Sequence, residues 1–293
     1  MNIFHIVAWA NPYEFYHNYL KYYYEVYKQE KYLLPTLDSS AADYFMVVNH
    51  PDPQNMSFGM DNKKIIHSYY EPPCTYKKWN KWGEGNWYNS FLYHHNTEEN
   101  GTIVLPYLDG KSFKWTGNVE IPEEKLDRLA FVTTLYNIHP GHLARLEFLN
   151  YAEQVKYDYD LFGAKKHSMV GYSITKYPQF RHDIISKQER LNHYKYTLVI
   201  ENTWDIGWFT EKLWDAILCE CLPFYWGCPN LEKFIPAESF IRLPIENIPQ
   251  SLEIIKSSIT NKEWEKRIGA IKEAKNLLLN KYDLINTLKR VLG

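Results

Sequence analysis

Residues 194–203 read Tyr194-Lys195-Tyr196-Thr197-Leu198-Val199-Ile200-Glu201-Asn202-Thr203; beyond a short polar loop stand Gly207-Trp208-Phe209-Thr210-Glu211-Lys212-Leu213 and then Leu222-Pro223-Phe224-Tyr225-Trp226-Gly227-Cys228-Pro229-Asn230. The order is strand, polar loop, helix, strand and Gly/Pro turn. The apolar run Tyr196 to Ile200 ends in two polar residues. That places Glu201 and Asn202 at the carboxyl end of a parallel strand, where open α/β sheets bind ligands. Thr210 suits the N-cap of the next helix, so Glu211 and Lys212 fall in its first turn beside backbone N–H groups without helical partners. A lysine there is disfavoured by the helix dipole unless an anion compensates, which makes Lys212 a phosphate-ligand candidate. Thr-Glu-Lys is also a common helix opening with no function attached, and the spacing leaves both readings open.

Working outward, short β-branched or aromatic runs alternate with longer helical patterns, the signature of α/β units on parallel sheets. Strands are expected at Ile3 to Ala8, Tyr44 to Asn49, Lys64 to His67, Leu129 to Thr133, Tyr159 to Phe162, Tyr196 to Ile200 and Leu222 to Tyr225. Helices are expected at Pro12 to Lys28, Pro140 to Glu153, Thr210 to Cys219 and Asn261 to Leu292. Residues 72–128 are the least regular stretch, and Pro122-Glu123-Glu124-Lys125 precedes a fresh strand. A boundary near residue 125 follows, giving domains 1–125 and 126–293. The last helix carries Trp264, Ile268, Ile271, Leu278, Tyr282, Ile285 and Leu288 at mostly helical spacing, with Lys275 interrupting the stripe, and reads as a packing helix.

Composition narrows the function classes. The formal net charge of −2 lacks the clustered basic excess of a nucleic-acid partner. An aromatic fraction of 17%, with 25 Tyr and 10 Trp, exceeds what a core needs and suits stacking on sugars and bases. No run of roughly 18 apolar residues is present, so no membrane span is expected. The start Met1-Asn2-Ile3-Phe4-His5-Ile6-Val7 reads as a strand and not as a signal peptide. Cys74, Cys219, Cys221 and Cys228 do not pair as a zinc site and suggest reduced thiols, hence a cytoplasmic setting.

The order of elements over about residues 155–245 resembles the α-1,3-fucosyltransferases of glycosyltransferase family 10. Those enzymes show a Tyr-Lys-aromatic strand into Glu-Asn-Ser/Thr, an aromatic residue before Thr-Glu-Lys, and a Pro-aromatic-Tyr-Trp/Gly turn. Pro236-Ala237-Glu238-Ser239-Phe240 is similar to the family's Pro-x-x-Ser-Phe ending. The resemblance implies a GT-B fold: two Rossmann-like domains facing each other across a cleft, the first for the acceptor and the second for the donor. In folds of this type the last helix can cross back to the first domain. It further implies a GDP-sugar donor, GDP-fucose above all, a glycan acceptor, and transfer with inversion.

Carried over residue by residue, Lys212 would contact the diphosphate, Glu211 the ribose or sugar hydroxyls, and Asn202 the phosphate region, with Glu201 and Thr210 beside them. Trp208 stands where family members usually have Tyr, so a hydroxyl is lost there. Arg145, after Val132-Thr133-Thr134 and His139-Pro140-Gly141-His142, matches the family's arginine-bearing helix, and its fork suits phosphate oxygens. His139 and His142 read as loop or capping residues. Asp160-Leu161-Phe162-Gly163 resembles the family's Asp-aromatic-Gly strand end, with Asp160 structural and Gly163 permitting close backbone approach.

In the first domain, Lys64-Ile65-Ile66-His67-Ser68-Tyr69-Tyr70-Glu71-Pro72-Pro73 runs a strand into a carboxylate held before two prolines. The family's inverting base resides in such an element, so Glu71 is the expected base; an ordinary solvated loop acid is its plain alternative. His67 on the same strand and Trp87, in the aromatic stretch Trp79, Trp82, Trp87, Tyr88 and Tyr93, are acceptor-side candidates. No acidic pair of the DxD kind lies at a suitable position, so neither a metal nor a cofactor is required. Two rivals stand beside this reading: a transferase of the same fold using another nucleotide sugar, and a non-catalytic carbohydrate-binding protein. A glycoside hydrolase would need two carboxylates across one site and ranks last.

Overall fold

The computed structural model describes residues 3–8, 34–48, 65–68, 93–94, 120–163, 173–183, 188–282, 286 and 289–290. The chain divides into two compact units, Met1–Asn118 with Asn280–Gly293, and Val119–Leu279.

In the first unit the described strands are β1 (Ile3–Ala8), β2 (Leu34–Thr36), β3 (Tyr44–Val48), β4 (Ile65–Ser68) and β5 (Tyr93–His94). They form a parallel five-stranded sheet in the order β2-β1-β3-β4-β5. This is one of the two common doubly wound orders, and its switch point lies between β1 and β3.

The second unit holds β6 (Leu126–Val132), β7 (Asp160–Gly163), β8 (Phe180–Asp183), β9 (Tyr194–Ile200), β10 (Leu222–Trp226) and β11 (Ile241–Arg242). All run parallel, in the order β11-β10-β9-β6-β7-β8. Numbered from β6, this is the 3-2-1-4-5-6 order of a dinucleotide-binding sheet, and the chain reverses its direction of travel between β6 and β9. The central strands are buried along nearly their whole length, β9 at all but one position and β10 at every one. Their continuous apolar runs are what a strand covered on both faces requires.

The described helices are α1 (Pro140–Gln154), α2 (Gln188–Leu191), α3 (Glu211–Leu218), α4 (Ile248–Thr260) and α5 (Glu263–Asn280). The single helix expected over 261–292 is corrected to α5, which ends at Asn280 and follows a separate helix, α4. Asn247 caps α4 by accepting from the Gln250 N–H at 3.1 Å, with Pro249 in the first turn. Lys262 at φ 54° then breaks the chain between α4 and α5. Lys275, which interrupts the apolar stripe of α5, reaches the Glu220 carboxylate at 2.8 Å, and Trp264 Nε1 donates to the Glu220 carbonyl at 2.7 Å. These contacts dock α5 at the turn that ends α3.

Asp160 is structural as expected. It is buried, takes an ion pair from Arg128 Nε at 2.8 Å, pairs with Arg181, and accepts the Tyr194 hydroxyl at 2.9 Å. Gly163 does bring backbones together: a Cβ there would lie 2.3 Å from the Thr133 carbonyl oxygen. Cys219, Cys221 and Cys228 are buried, and Cys74 lies outside the described residues. No described helix is long and apolar enough to cross a membrane.

Candidate functional site

The site grows from the switch point. β9 ends at Ile200, and the chain continues through Glu201, whose N–H donates to the Trp226 carbonyl at 2.9 Å, into Asn202. From the neighbouring strand β6 the chain passes through residues 133–139 into the N-terminus of α1. His139 is its N-cap, with Pro140 in the first turn. The His139 N–H donates to His142 Nδ1 at 3.2 Å, which is the capping role expected of this pair. The bond leaves the proton of a neutral His142 ring on Nε2.

Gly141 permits the contact that defines the site. Its N–H donates to the Asn202 carbonyl at 3.0 Å, and a Cβ on it would lie 1.7 Å from the Glu201 carbonyl oxygen. The start of α1 is thus pressed against the carboxyl end of β9, a fit open to glycine alone. Gly141→Ala is expected to cost about 3 kcal/mol through forced separation of these backbones. Calorimetry should show Tm lowered by roughly 6–12 °C.

One turn into α1, Arg145 is buried and ties that helix to the end of β9. Its Nε donates to the Ile200 carbonyl at 2.9 Å, and its Nη2 to the same oxygen and to Asn202 Oδ1 at 2.8 Å. Nη1 makes no hydrogen bond among the described residues. Burial pulls the Arg145 guanidinium down to about 10, against Glu201 and Glu211, which act to raise it, so it stays charged at neutral pH. His142 is pulled down to about 3, first by burial and then by the positive fields of Arg145, His139 and Lys212. Burial disfavours charge of either sign, but the positive fields of Arg145, His139 and Lys212 that add to it are of the sign that attracts an anion.

On the other side, α3 opens with Thr210 as its N-cap, as expected: Oγ1 accepts from the Lys212 N–H at 3.4 Å. Lys212 Nζ lies 3.0 Å from Glu211 Oε1, 3.2 Å from Thr210 Oγ1 and 3.9 Å from Glu201 Oε2. Glu201 itself is 0% exposed, with Oε1 accepting the Thr210 N–H at 2.8 Å and Oε2 the Thr210 hydroxyl at 2.6 Å. It stands behind the site and supports its surface from within. Burial raises the Glu201 carboxyl above its ordinary range, while Lys212 and the Thr210 bonds oppose that rise.

The fold therefore gathers Arg145, Glu201, Asn202, Thr210, Glu211 and Lys212, contributed by two segments far apart in sequence. Trp208 is not on that surface: it is 1% exposed, in the core beneath the loop. Gly207 before it takes φ 68° and donates its N–H to Asn230 Oδ1 at 2.8 Å, turning the Trp208 ring inward. The backbone of His67 lies in β4. Glu71 and Trp87 lie outside the described residues. Sequence reasoning missed the packing duties of Gly141 and Gly227. Their signal was the presence of glycine beside polar ligand candidates, but only the approach distances reveal its purpose. Among the described residues no group of three His, Cys, Asp or Glu could hold a metal ion.

Residues 131–255, which span β6 to α4, match the model of the C-terminal region of glycosyltransferase family 10 (fucosyltransferase). The alpha-(1,3)-fucosyltransferase FucT of Helicobacter pylori is 34% identical over 82 residues, 28% of this chain and 17% of that protein. An alpha-(1,4)-fucosyltransferase of Arabidopsis thaliana is 41% identical over 51 residues, 17% of this chain and 13% of that one. The matches span between 12% and 17% of the length of these curated relatives. A crystal structure of an alpha1,3-fucosyltransferase superposes with TM-score 0.53 and 18% identity, over 99% of this chain and 90% of that one. The fold is accordingly of the GT-B type, two Rossmann-like units in one chain.

Proposed function

We propose that this chain, whose residues 131–255 match the model of the C-terminal region of glycosyltransferase family 10, is a member of that family and moves a sugar from a nucleotide-sugar donor, GDP-fucose, onto a hydroxyl of a glycan acceptor, with inversion. The observation that carries this reading is the meeting of Arg145, Asn202 and Lys212 at the switch point of a 3-2-1-4-5-6 sheet, beside the N-terminus of α1. Such a place binds diphosphates through helix N–H groups and fixed cations.

Breaking the bond between the sugar's anomeric carbon and the diphosphate leaves positive charge on the sugar and negative charge on the departing oxygen. Lys212 and the Arg145 guanidinium stabilise that oxygen without rearranging, which is the largest kind of contribution such sites make. Glu211 is within reach of Lys212 and is the hydroxyl acceptor for ribose or sugar; the incoming phosphate takes over its hold on the ammonium. In the first unit, Glu71 is the base that takes the acceptor hydroxyl's proton as the new bond forms on the opposite face. His67 and Trp87 are proposed on the acceptor side. The step needs no metal, because the cations of the site neutralise the leaving group.

Relatives named for α-1,3 and for α-1,4 transfer each match part of this chain, so the likeness does not select a linkage. Calorimetric titration with GDP, UDP and their common sugars tests the reading. GDP and GDP-fucose are expected to bind at least about tenfold tighter than the uridine compounds. Preference for a different nucleotide sugar would select the first rival, and binding of glycans with no nucleotide at all the second.

A further inference from the structure

We propose that Glu201 is a positioning residue that acts through the Thr210 hydroxyl to aim the Lys212 ammonium at the donor's diphosphate. The proposal rests on the GDP-sugar reading of the site. Glu201 is fully buried and its two oxygens are both engaged by Thr210, so it cannot itself touch a donor. Its place is reserved by Gly227, where a Cβ would lie 2.5 Å from Glu201 Cγ. The residue after β10 must therefore be glycine for the carboxylate to turn toward Thr210.

One hydrogen atom decides which way Thr210 faces its neighbours. A threonine hydroxyl has a single proton to donate and two lone pairs to accept with. An ionised carboxylate only accepts, and the 2.6 Å contact between Thr210 Oγ1 and Glu201 Oε2 has the length of a hydroxyl donating to a charged oxygen. The Thr210 proton is thus directed at Glu201, which turns the lone pairs toward Lys212: its N–H at 3.4 Å and its Nζ at 3.2 Å. Glu201 Oε2 lies 3.9 Å from Nζ and adds attraction without a direct bond. The ammonium is held at the first turn of α3, where the helix dipole alone would push it away.

The test is a thermodynamic cycle. GDP is titrated calorimetrically into the wild-type protein, Glu201→Gln, Lys212→Ala and the double variant, with the unfolding temperature of each recorded. A glutamine in place of Glu201 would keep the shape and still accept the Thr210 N–H, but its amide would donate to Oγ1 and occupy a lone pair that serves Lys212. Glu201→Gln is expected to weaken GDP binding about tenfold, and the double variant to bind no more weakly than Lys212→Ala alone. A merely structural Glu201 would give the same loss with or without Lys212, and that additivity would overturn the proposal, as would wild-type affinity in Glu201→Gln. If Glu201→Gln fails to fold, the same cycle run with Thr210→Val decides, because it removes the hydroxyl alone. Failure of the wild-type protein to bind GDP would instead sink the donor reading itself.

Discussion

Lys212→Ala is expected to weaken GDP binding by roughly 30- to 100-fold and to lower kcat/KM for sugar transfer by about 10²- to 10³-fold. The side chain stands at the first turn of α3, a quarter exposed, with Glu211, Thr210 and Glu201 as its partners. Truncation leaves none of these acceptors stranded. Thr210 still donates to Glu201, and Glu211 retains access to water. Stability should therefore change little, while the leaving diphosphate loses a charge-assisted bond that strengthens as negative charge develops on it. The expected signature is a loss in kcat/KM larger than the loss in GDP affinity, with Tm preserved. Unchanged GDP affinity in this variant would remove Lys212 from the donor site.

Glu71→Ala is expected to abolish transfer almost completely, by about 10³-fold in kcat, with GDP affinity retained. The two readouts separate because in the proposed reaction the base acts on the acceptor hydroxyl, whereas the nucleotide would be held by residues of the second unit. Single-turnover transfer from GDP-fucose, paired with GDP calorimetry on the same preparation, measures both. A variant that turns over at the wild-type rate would assign the proton to another group. Joint loss of nucleotide binding and transfer would make Glu71 a folding residue.

Much of the fold was legible because parallel strands buried on both faces must be uninterrupted apolar runs. Ile3–Ala8 coincides with β1, and Leu222 to Tyr225 with all but the last residue of β10. Of the unexpected strands, β2, β5 and β11 are two or three residues long, too short for periodicity to register, and β8, Phe180–Asp183, lacks an apolar run. Asn247 and Pro249 mark the start of α4, a helix outside those expected from sequence; Asn261 and Lys262, which open the expected long helix, instead end α4 in the structure. Within the site, the N-cap role of Thr210 could be read directly, since capping is decided by residues two and three positions apart.

Residue types at short spacing determined the elements: a strand from Tyr196 to Ile200 closed by Glu201 and Asn202, a helix capped by Thr210, and an arginine one turn into the helix that starts at Pro140. These are local properties, governed by backbone hydrogen bonding and side-chain burial within a few residues. Only the tertiary structure decided that Arg145 binds the Ile200 carbonyl, 55 residues away, that Gly141 lies against Glu201, and that Glu201 faces inward to Thr210 while Trp208 sinks into the core. The physical reason is the strand order. Whether β6 lies beside β9 is settled by how six strands and their helices bury their shared apolar faces, and no single segment carries that information.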